Sequence, residues 1–148
     1  MIAFSTHNIQ MPDIRQNLIR EWIHKVAASY DRKTGDITYI FCDDEKILEV
    51  NRQFLSHDYY TDIITFDYSS RTTVSGDLFI SLDTVLTNSR VQNTSYTEEL
   101  HRVIIHGILH LCGINDKAPG EREVMEEAEN RALTIYKSMS EEKNRCSR

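Results

Sequence analysis

Residues 95–113 constrain the fold most, because they predict one long helix whose two ends are both marked. Ser95 and Glu98 have the spacing of a capping box at its start, and Gly113 is the residue type that most readily ends a helix. Apolar residues recur between these ends at positions 100, 103, 104, 108 and 111. This spacing gives the helix one apolar face, which has to be buried in a core.

Short β-rich segments and helical patterns alternate along the rest of the chain. The segments typical of strands are residues 2–6, 37–42, 63–68 and 76–81. Helical spacing is predicted in residues 12–26, 44–54, 83–92 and 120–136, and a turn in residues 32–36. Because these elements do not follow a regular βαβ order, the sequence predicts an α+β fold. We expect a single domain with a four-stranded mixed sheet, packed with about five helices.

The helix starts also have candidate caps. Asp43 or Asp44 is the expected cap of the second helix, and Asp83 of the third. The first helix is expected to begin near Pro12, since proline is favoured in the first turn.

Length and composition are those of one globular domain. The chain has 148 residues, of which 40% are hydrophobic, and we expect residues 1–139 to form the domain and residues 140–148 a polar, flexible tail. The three cysteines show no CxxC spacing, and neither a signal peptide nor an apolar span is recognisable, so the cytoplasm is the expected location. The net charge of −6 is not typical of nucleic-acid-binding proteins.

The long helix has a candidate metal site near its end. His106 and His110 are four residues apart, so their side chains lie on one face, one turn from each other. Gly113 allows the chain to reverse directly afterwards, which would bring the Asp116 carboxylate back over that face. Two imidazoles and one carboxylate leave one position of a tetrahedral zinc open, as in catalytic zinc sites.

Other interpretations of the pair remain open at this point. A histidine pair with this spacing is also compatible with two hydrogen-bonded side chains at the edge of a core. A zinc peptidase of the H-E-x-x-H type is disfavoured, because Gly107 stands where that class has its catalytic glutamate.

Three sequence blocks resemble those of a known family. The string HGILHLCGIND at residues 106–116 resembles the signature H-G-x-L-H-L-x-G-x-D-H of the YbeY family, bacterial metal-dependent endoribonucleases of ribosomal RNA maturation. DYYTDIITF at residues 58–66 is similar to the family's D-x-P-T-D-V-L-S-F, and GDLFIS at residues 76–81 to its G-D-I-x-I-S. The blocks have the family's order and spacing and cover nearly the whole chain.

The resemblance implies a single-strand-specific endoribonuclease that acts in 16S rRNA 3′ maturation and ribosome quality control. One Zn²⁺ per chain would be held by His106, His110 and Asp116. The attacking group would be water activated by the metal, so no side chain is assigned as catalytic. The implied partners are single-stranded rRNA precursors and the small ribosomal subunit, with neither DNA nor a membrane. A non-catalytic or weakly catalytic ribosome-assembly factor and another metal-dependent phosphoester hydrolase are the alternatives.

This chain departs from the family pattern at three positions. Asp116 stands where the third ligand is usually histidine. Leu55 replaces an arginine that contacts RNA or phosphate in the family, and Arg52, about one turn away, is a candidate substitute. Tyr60 replaces a proline.

Further residues are candidates for supporting roles. Asp62 and Asp77 are expected to hydrogen-bond the imidazoles or to contact RNA, and Lys117 to contact RNA. Tyr59 and Tyr60 are candidates for stacking on bases. The cations expected to line an RNA cleft are Arg52, Arg71, Arg90, Arg102 and Lys117. The acidic residues expected to face away from it are Glu121, Glu123, Glu126, Glu127 and Glu129.

Overall fold

The computed structural model describes residues 1–55 and 61–146. The elements of these residues are β1 (Ile2–Thr6), α1 (Gln16–Ser29), β2 (Lys33–Cys42), α2 (Asp44–Phe54), β3 (Ile63–Asp67), β4 (Thr73–Ser81), α3 (Leu82–Val91), α4 (Tyr96–Leu111) and α5 (Glu121–Cys146). None of the described helices is both long and apolar enough to span a membrane.

The strands form one mixed sheet in the order β1-β2-β4-β3. The pairs β1–β2 and β2–β4 are parallel, and β3 pairs with β4 antiparallel. This arrangement confirms the predicted α+β fold with a four-stranded mixed sheet and five helices in the described chain.

The main core lies between one face of the sheet and the helices α1, α4 and α5. The Tyr39 hydroxyl of β2 donates a hydrogen bond of 2.7 Å to the Ile104 carbonyl of α4. The Trp22 Nε1–H of α1 donates one of 2.8 Å to the Ala132 carbonyl of α5. Both polar atoms are buried and satisfied, so the first bond holds α4 on the sheet and the second holds α1 on α5 without an unpaired buried donor.

A smaller cluster lies on the opposite face of the sheet, under α2. It consists of Cys42, Ile47, Val50 and Ile64, with Phe66 and Phe79 packed against it. The two faces follow from the alternation of side chains along the strands: in β4, Leu78 and Ile80 are buried, whereas Asp77 and Phe79 are partly exposed.

Gly107 sets the distance between α4 and the sheet. A Cβ atom at this position would overlap the Leu78 side chain of β4 and would lie 3.0 Å from the Ile63 Cδ1 atom of β3. The helix therefore packs unusually close to the strands at this turn. His106 lies one residue before the contact, which places its ring at the edge of the core.

Two element starts differ from the prediction. The helix α1 begins at Gln16 rather than near Pro12, because the preceding Ile9, Met11 and Ile14 pack against the core from non-helical backbone. The strand β2 begins at Lys33, so the predicted turn in residues 32–36 is wrong. Its register shifts between Thr34 and Ile37, a bulge that keeps this segment in the sheet.

The caps agree with the prediction in part. Asp43 caps α2, since its side chain accepts a hydrogen bond from the Lys46 N–H. Ser81, not Asp83, caps α3 by accepting from the Thr84 N–H. Asp83 instead accepts a bond of 3.0 Å from the Asp44 N–H.

The helix α5 is longer than predicted. It continues past Tyr136 to Cys146, so residues 140–146 are helical. Arg15 donates a hydrogen bond of 2.9 Å to the Ser140 hydroxyl, and Lys143 forms an ion pair of 3.6 Å with Glu21 of α1. The division into a domain of residues 1–139 and a flexible tail stays a prediction.

Candidate active site

A cleft of about 830 Å³ opens between α3, α4, the start of α5 and the segment that precedes β3. Its acidic side chains are Asp62, Glu98, Glu99, Asp116, Glu126 and Glu129. Its cations are Arg102 and Arg122, and His106 lies among them. The described lining therefore has more carboxylates than cationic groups.

His106 lies between two carboxylates. Its Nδ1 is 2.7 Å from Glu129 Oε2, and its Nε2 is 3.4 Å from Asp116 Oδ2. Burial lowers the pKa of His106, but the hydrogen bond and charge of Glu129, together with the charges of Asp116 and Asp62, outweigh burial and raise the pKa above its usual value. The site therefore favours a positive charge on or beside this ring.

One nitrogen of the His106 ring is oriented toward a carboxylate and could also bind a cation. If Nδ1–H donates to Glu129, Nε2 either carries a second proton to Asp116 or presents its lone pair to a metal ion. An imidazole whose far N–H bonds a carboxylate is the usual arrangement of a metal-binding histidine. Glu99 adds to the excess of negative charge: it is 4% exposed, and within the described ranges no group bonds its Oε1. A bound cation would stabilise both the His106 lone pair and the excess of negative charge around Glu99.

The turn after α4 brings Asp116 to His106. Cys112 is the C-cap, and Gly113 adopts a φ of 97°. The Gly113 N–H donates to the His110 carbonyl at 2.9 Å, and the Ile114 N–H to the Leu109 carbonyl at 3.1 Å. These bonds satisfy two of the last carbonyls of the helix while the chain reverses. The reversal brings the Asp116 carboxylate to within 3.4 Å of His106 Nε2.

His110 is not brought into the same group. It follows His106 by one turn of α4 and is partly exposed, but it does not line the cleft described above. Across residues 1–55 and 61–146, no three His, Cys, Asp or Glu side chains are arranged to hold one metal ion. Two of the three predicted ligands therefore meet, and the third lies one helical turn away.

Glu129 contacts His106, a role that the sequence pattern does not indicate. Both Glu126 and Glu129 line the cleft, so the expectation that they face away from it is wrong. The helix α5 packs on α4 through Met125, Ala128 and Ala132, which are buried, and Glu129 is at the edge of this stripe. The spacing of these apolar residues indicates which face of α5 is buried, but only the fold shows that this face packs on α4.

Glu129 is also held by Arg102, one turn before His106 on α4. Arg102 Nη1 is 2.9 Å from Glu129 Oε1, and Arg102 Nη2 donates a bond of 2.8 Å to Asn130 Oδ1. Burial raises the pKa of Glu129, but the hydrogen bonds and charges of His106 and Arg102 outweigh it and lower the pKa below its usual value. Glu129 is therefore a carboxylate at neutral pH.

The two aspartates proposed for supporting roles lie in different places. Asp62 lines the cleft, where burial raises its pKa and the charge of His106 partly offsets this effect. Asp77 is on β4 with its side chain on the face opposite Leu78, and it accepts a hydrogen bond of 3.3 Å from the Tyr68 hydroxyl. The sheet therefore separates Asp77 from His106.

The predicted cations are also dispersed. Of those expected from the sequence, Arg102 lines the described cleft, whereas Arg52, Arg71, Arg90 and Lys117 do not. Leu55 is at the end of α2 and is 39% exposed. The candidates Tyr59 and Tyr60, with the first residues of their block, lie outside the described residues.

The described thiols are poor nucleophiles. Cys42 and Cys112 are free, and burial raises the pKa of the first to about 12 and that of the second to about 11. A thiolate mechanism is therefore disfavoured at these two positions.

Comparison with known proteins identifies the family. Residues 1–137 match the family described as Endoribonuclease YbeY. Proteins of that name from Parabacteroides distasonis and Bacteroides fragilis are 68% and 67% identical over 134 and 136 residues; the matches cover 90% and 92% of this chain and 94% and 98% of the relatives. A relative of the same name from Porphyromonas gingivalis is 51% identical over 136 residues, covering 92% of this chain and 90% of the relative.

A solved structure has the same fold. The solution structure of TM1509 from Thermotoga maritima superposes with a TM-score of 0.64 at 27% identity and covers 93% of each chain. Together, the match over residues 1–137, the identities of 51% to 68% and the shared fold show that the chain belongs to the YbeY family of metal-dependent endoribonucleases.

Proposed function

We propose that this chain cuts single-stranded ribosomal RNA precursors in 16S rRNA 3′ maturation and ribosome quality control, with one Zn²⁺ held by His106, His110 and Asp116. The observation that carries this proposal is the position of His106, whose Nε2 faces Asp116 at 3.4 Å while its Nδ1 bonds Glu129. Two imidazoles at i and i+4 with one carboxylate are an ordinary zinc ligand set.

The bound ion would supply a Lewis acid that acidifies water and polarises a phosphoryl oxygen. The residues of this chain would hold and orient it. His106 and His110 extend from one rigid helix, and Asp116 from the turn that Gly113 permits. Glu129 Oε2 lies 2.7 Å from His106 Nδ1, on the side of the ring away from the Nε2 atom that would bind the ion.

The charge of the cleft also supports a metal-dependent reaction. RNA phosphates need cations, and the described lining has six acidic side chains against two arginines. A divalent ion next to Asp116 would reverse the local potential at the point where a phosphodiester has to approach. Arg122, at the start of α5, is a candidate to bind a neighbouring phosphate.

The remaining parts of the proposal rest on family membership. We expect the small ribosomal subunit to be the partner that presents the RNA, with neither DNA nor a membrane involved. The cytoplasm is the compartment in which such a precursor is found, and the free Cys42 and Cys112 fit its reducing conditions.

The proposal is tested by the metal content of the purified protein and by cleavage of matched single-stranded and duplex RNAs. We expect one zinc per chain, cleavage of the single strand, and recovery of activity when zinc is returned after chelation. Metal binding without cleavage, combined with co-sedimentation with small subunits, would instead support an assembly role. Cleavage of a generic phosphodiester but not of RNA would contradict the proposed substrate.

A further inference from the structure

A chain of charge-assisted hydrogen bonds connects α5 to the candidate metal site. Glu129 is the central member, and its side chain is 10% exposed. One of its oxygens is 2.9 Å from Arg102 Nη1, and the other is 2.7 Å from His106 Nδ1. Because both oxygens are engaged by donors on α4, the carboxylate has a defined orientation toward the His106 ring.

We propose that Glu129 is a positioning residue of the metal site and that Arg102 in turn positions Glu129. A carboxylate that accepts from Nδ1–H selects the tautomer in which Nε2 has the lone pair, and Nε2 is the atom that faces Asp116. This inference rests on the proposed function, because it assigns the held tautomer to metal binding.

The contacts of Arg102 favour this role over contact with RNA. Its Nη1 is used by Glu129, and its Nη2 donates 2.8 Å to Asn130 Oδ1. Both partners are on α5, and Arg102 and His106 lie on successive turns of α4. The arginine therefore fixes α5 against α4 at the height of the metal site, and its charge is already compensated by a nearly buried carboxylate.

The first test compares the zinc affinity of Glu129→Ala and Glu129→Gln with that of Glu127→Gln, measured by competition with a chromophoric chelator. Glu127 is a matched control, because it is on the same helix but is exposed and pairs with Arg131. We expect Glu129→Ala to lose about 10- to 100-fold in zinc affinity, the usual range for such partners of metal ligands. Glu129→Gln retains an acceptor oxygen and is expected to lose less, whereas the control keeps the wild-type affinity.

Unfolding followed by the fluorescence of Trp22 shows whether each variant is folded in the assay. If Glu129→Ala is unfolded, Glu129→Gln decides: a loss of about threefold or more relative to Glu127→Gln supports the proposal, and equal affinities overturn it. If Glu129→Ala is folded and binds zinc within twofold of wild type, the proposal is wrong.

The second test reads the His106 tautomer in metal-free protein by ¹⁵N NMR of labelled histidine, at a pH at which the ring is neutral. We expect the Nδ1–H form in wild type and in Glu127→Gln, and a shift toward the Nε2–H form in Glu129→Ala. An unchanged tautomer in Glu129→Ala overturns the positioning role. A wild-type protein with the Nδ1–H form that binds no zinc would contradict the proposed function and leave the role of Glu129 toward the ring intact.

The Arg102 step is tested by Arg102→Met alone and with Glu129→Ala. If Arg102 acts through Glu129, the single variant loses zinc affinity several-fold, and the same change adds nothing when Glu129 is already alanine. If Arg102 binds RNA, zinc affinity is unchanged and KM for RNA rises in both backgrounds. That second outcome would overturn the Arg102 part of the proposal.

Discussion

The two ends of the contact between α4 and α5 show how one helix pair creates two different environments for histidine. Near the start of α4, His101 is 8% exposed and its ring lies 4.3 Å from that of Tyr136 and 6.1 Å from that of Trp22. Five residues later, His106 meets Glu129 and Asp116. Since α5 runs antiparallel to α4, its later residue Tyr136 contacts the first histidine and its earlier residue Glu129 the second.

The difference in charge follows from these neighbours. Burial lowers the pKa of His101 to about 4, and the charge of Glu98 compensates only in part. The carboxylates around His106 outweigh burial and raise its pKa. The residue type alone therefore does not define a candidate metal ligand. The side chains that α5 presents to each turn of α4 distinguish the buried core histidine from the candidate ligand.

The largest expected effect distinguishes the proposed ligands from the core histidine His101. His106→Ala and His110→Ala should abolish zinc binding and lower RNA cleavage by more than about 100-fold, since each removes a proposed ligand rather than a supporting group. His101→Phe is the matched control, because it replaces an aromatic ring packed against Trp22 and Tyr136. Retained zinc binding in His106→Ala, or its loss in His101→Phe, would contradict the comparison.

The second effect is the loss of folding stability in acid that the buried His101 causes. The pKa of His101 is about 4 in the folded protein and 6.5 as its ordinary value. Below pH 6.5 the His101 side chain of the unfolded chain binds a proton that the folded chain excludes. The stability that neutral His101 contributes is therefore complete above pH 6.5 and is lost as the pH falls toward 4. Between about pH 7 and about pH 5 the loss should be about 2 kcal/mol.

Urea unfolding of wild type and His101→Phe at both pH values isolates this contribution. Other groups, such as Asp62 and Glu99 with raised pKa values, titrate in both proteins and cancel in the difference. We expect the free energy of unfolding to fall more steeply on acidification in wild type than in His101→Phe. Equal slopes would mean that His101 is protonated in the core.

The third effect concerns the contact between α4 and the sheet at Gly107, the residue after His106. Gly107→Ala should lower the free energy of unfolding by about 1–3 kcal/mol, because its methyl group would overlap Leu78 and crowd Ile63. It should also weaken zinc binding, since α4 would have to move at the residue next to His106. The double variant with Leu78→Val should recover part of both losses. A Gly107→Ala protein as stable as wild type would show that the close approach is not needed.

Much of this arrangement is predictable from local patterns, and the remainder depends on contacts across the fold. The ends of α4 and the reversal at Gly113 follow from capping chemistry, which acts within a few residues. The role of Glu129 depends on which face of α5 meets α4. The carboxylate of Asp83 accepts from the N–H of Asp44, 39 residues earlier, while Ser81 caps α3. Such contacts between distant residues leave no spacing signal in one sequence.

The smallest expected effect is that of Asp116→His, which gives this chain the residue usual in the family at this position. Asp116→Ala removes the group that faces Nε2 and should weaken zinc binding clearly, whereas Asp116→His supplies a nitrogen ligand and should keep the affinity within about tenfold of wild type or improve it. Imidazole in place of a carboxylate should also raise the preference for zinc over manganese, because the ligand set becomes softer. Competition titrations with both metals measure this change. If Asp116→Ala and Asp116→His bind zinc as tightly as wild type, the carboxylate is not a ligand, and the asymmetry between the two ends of the α4–α5 contact depends on Glu129 alone.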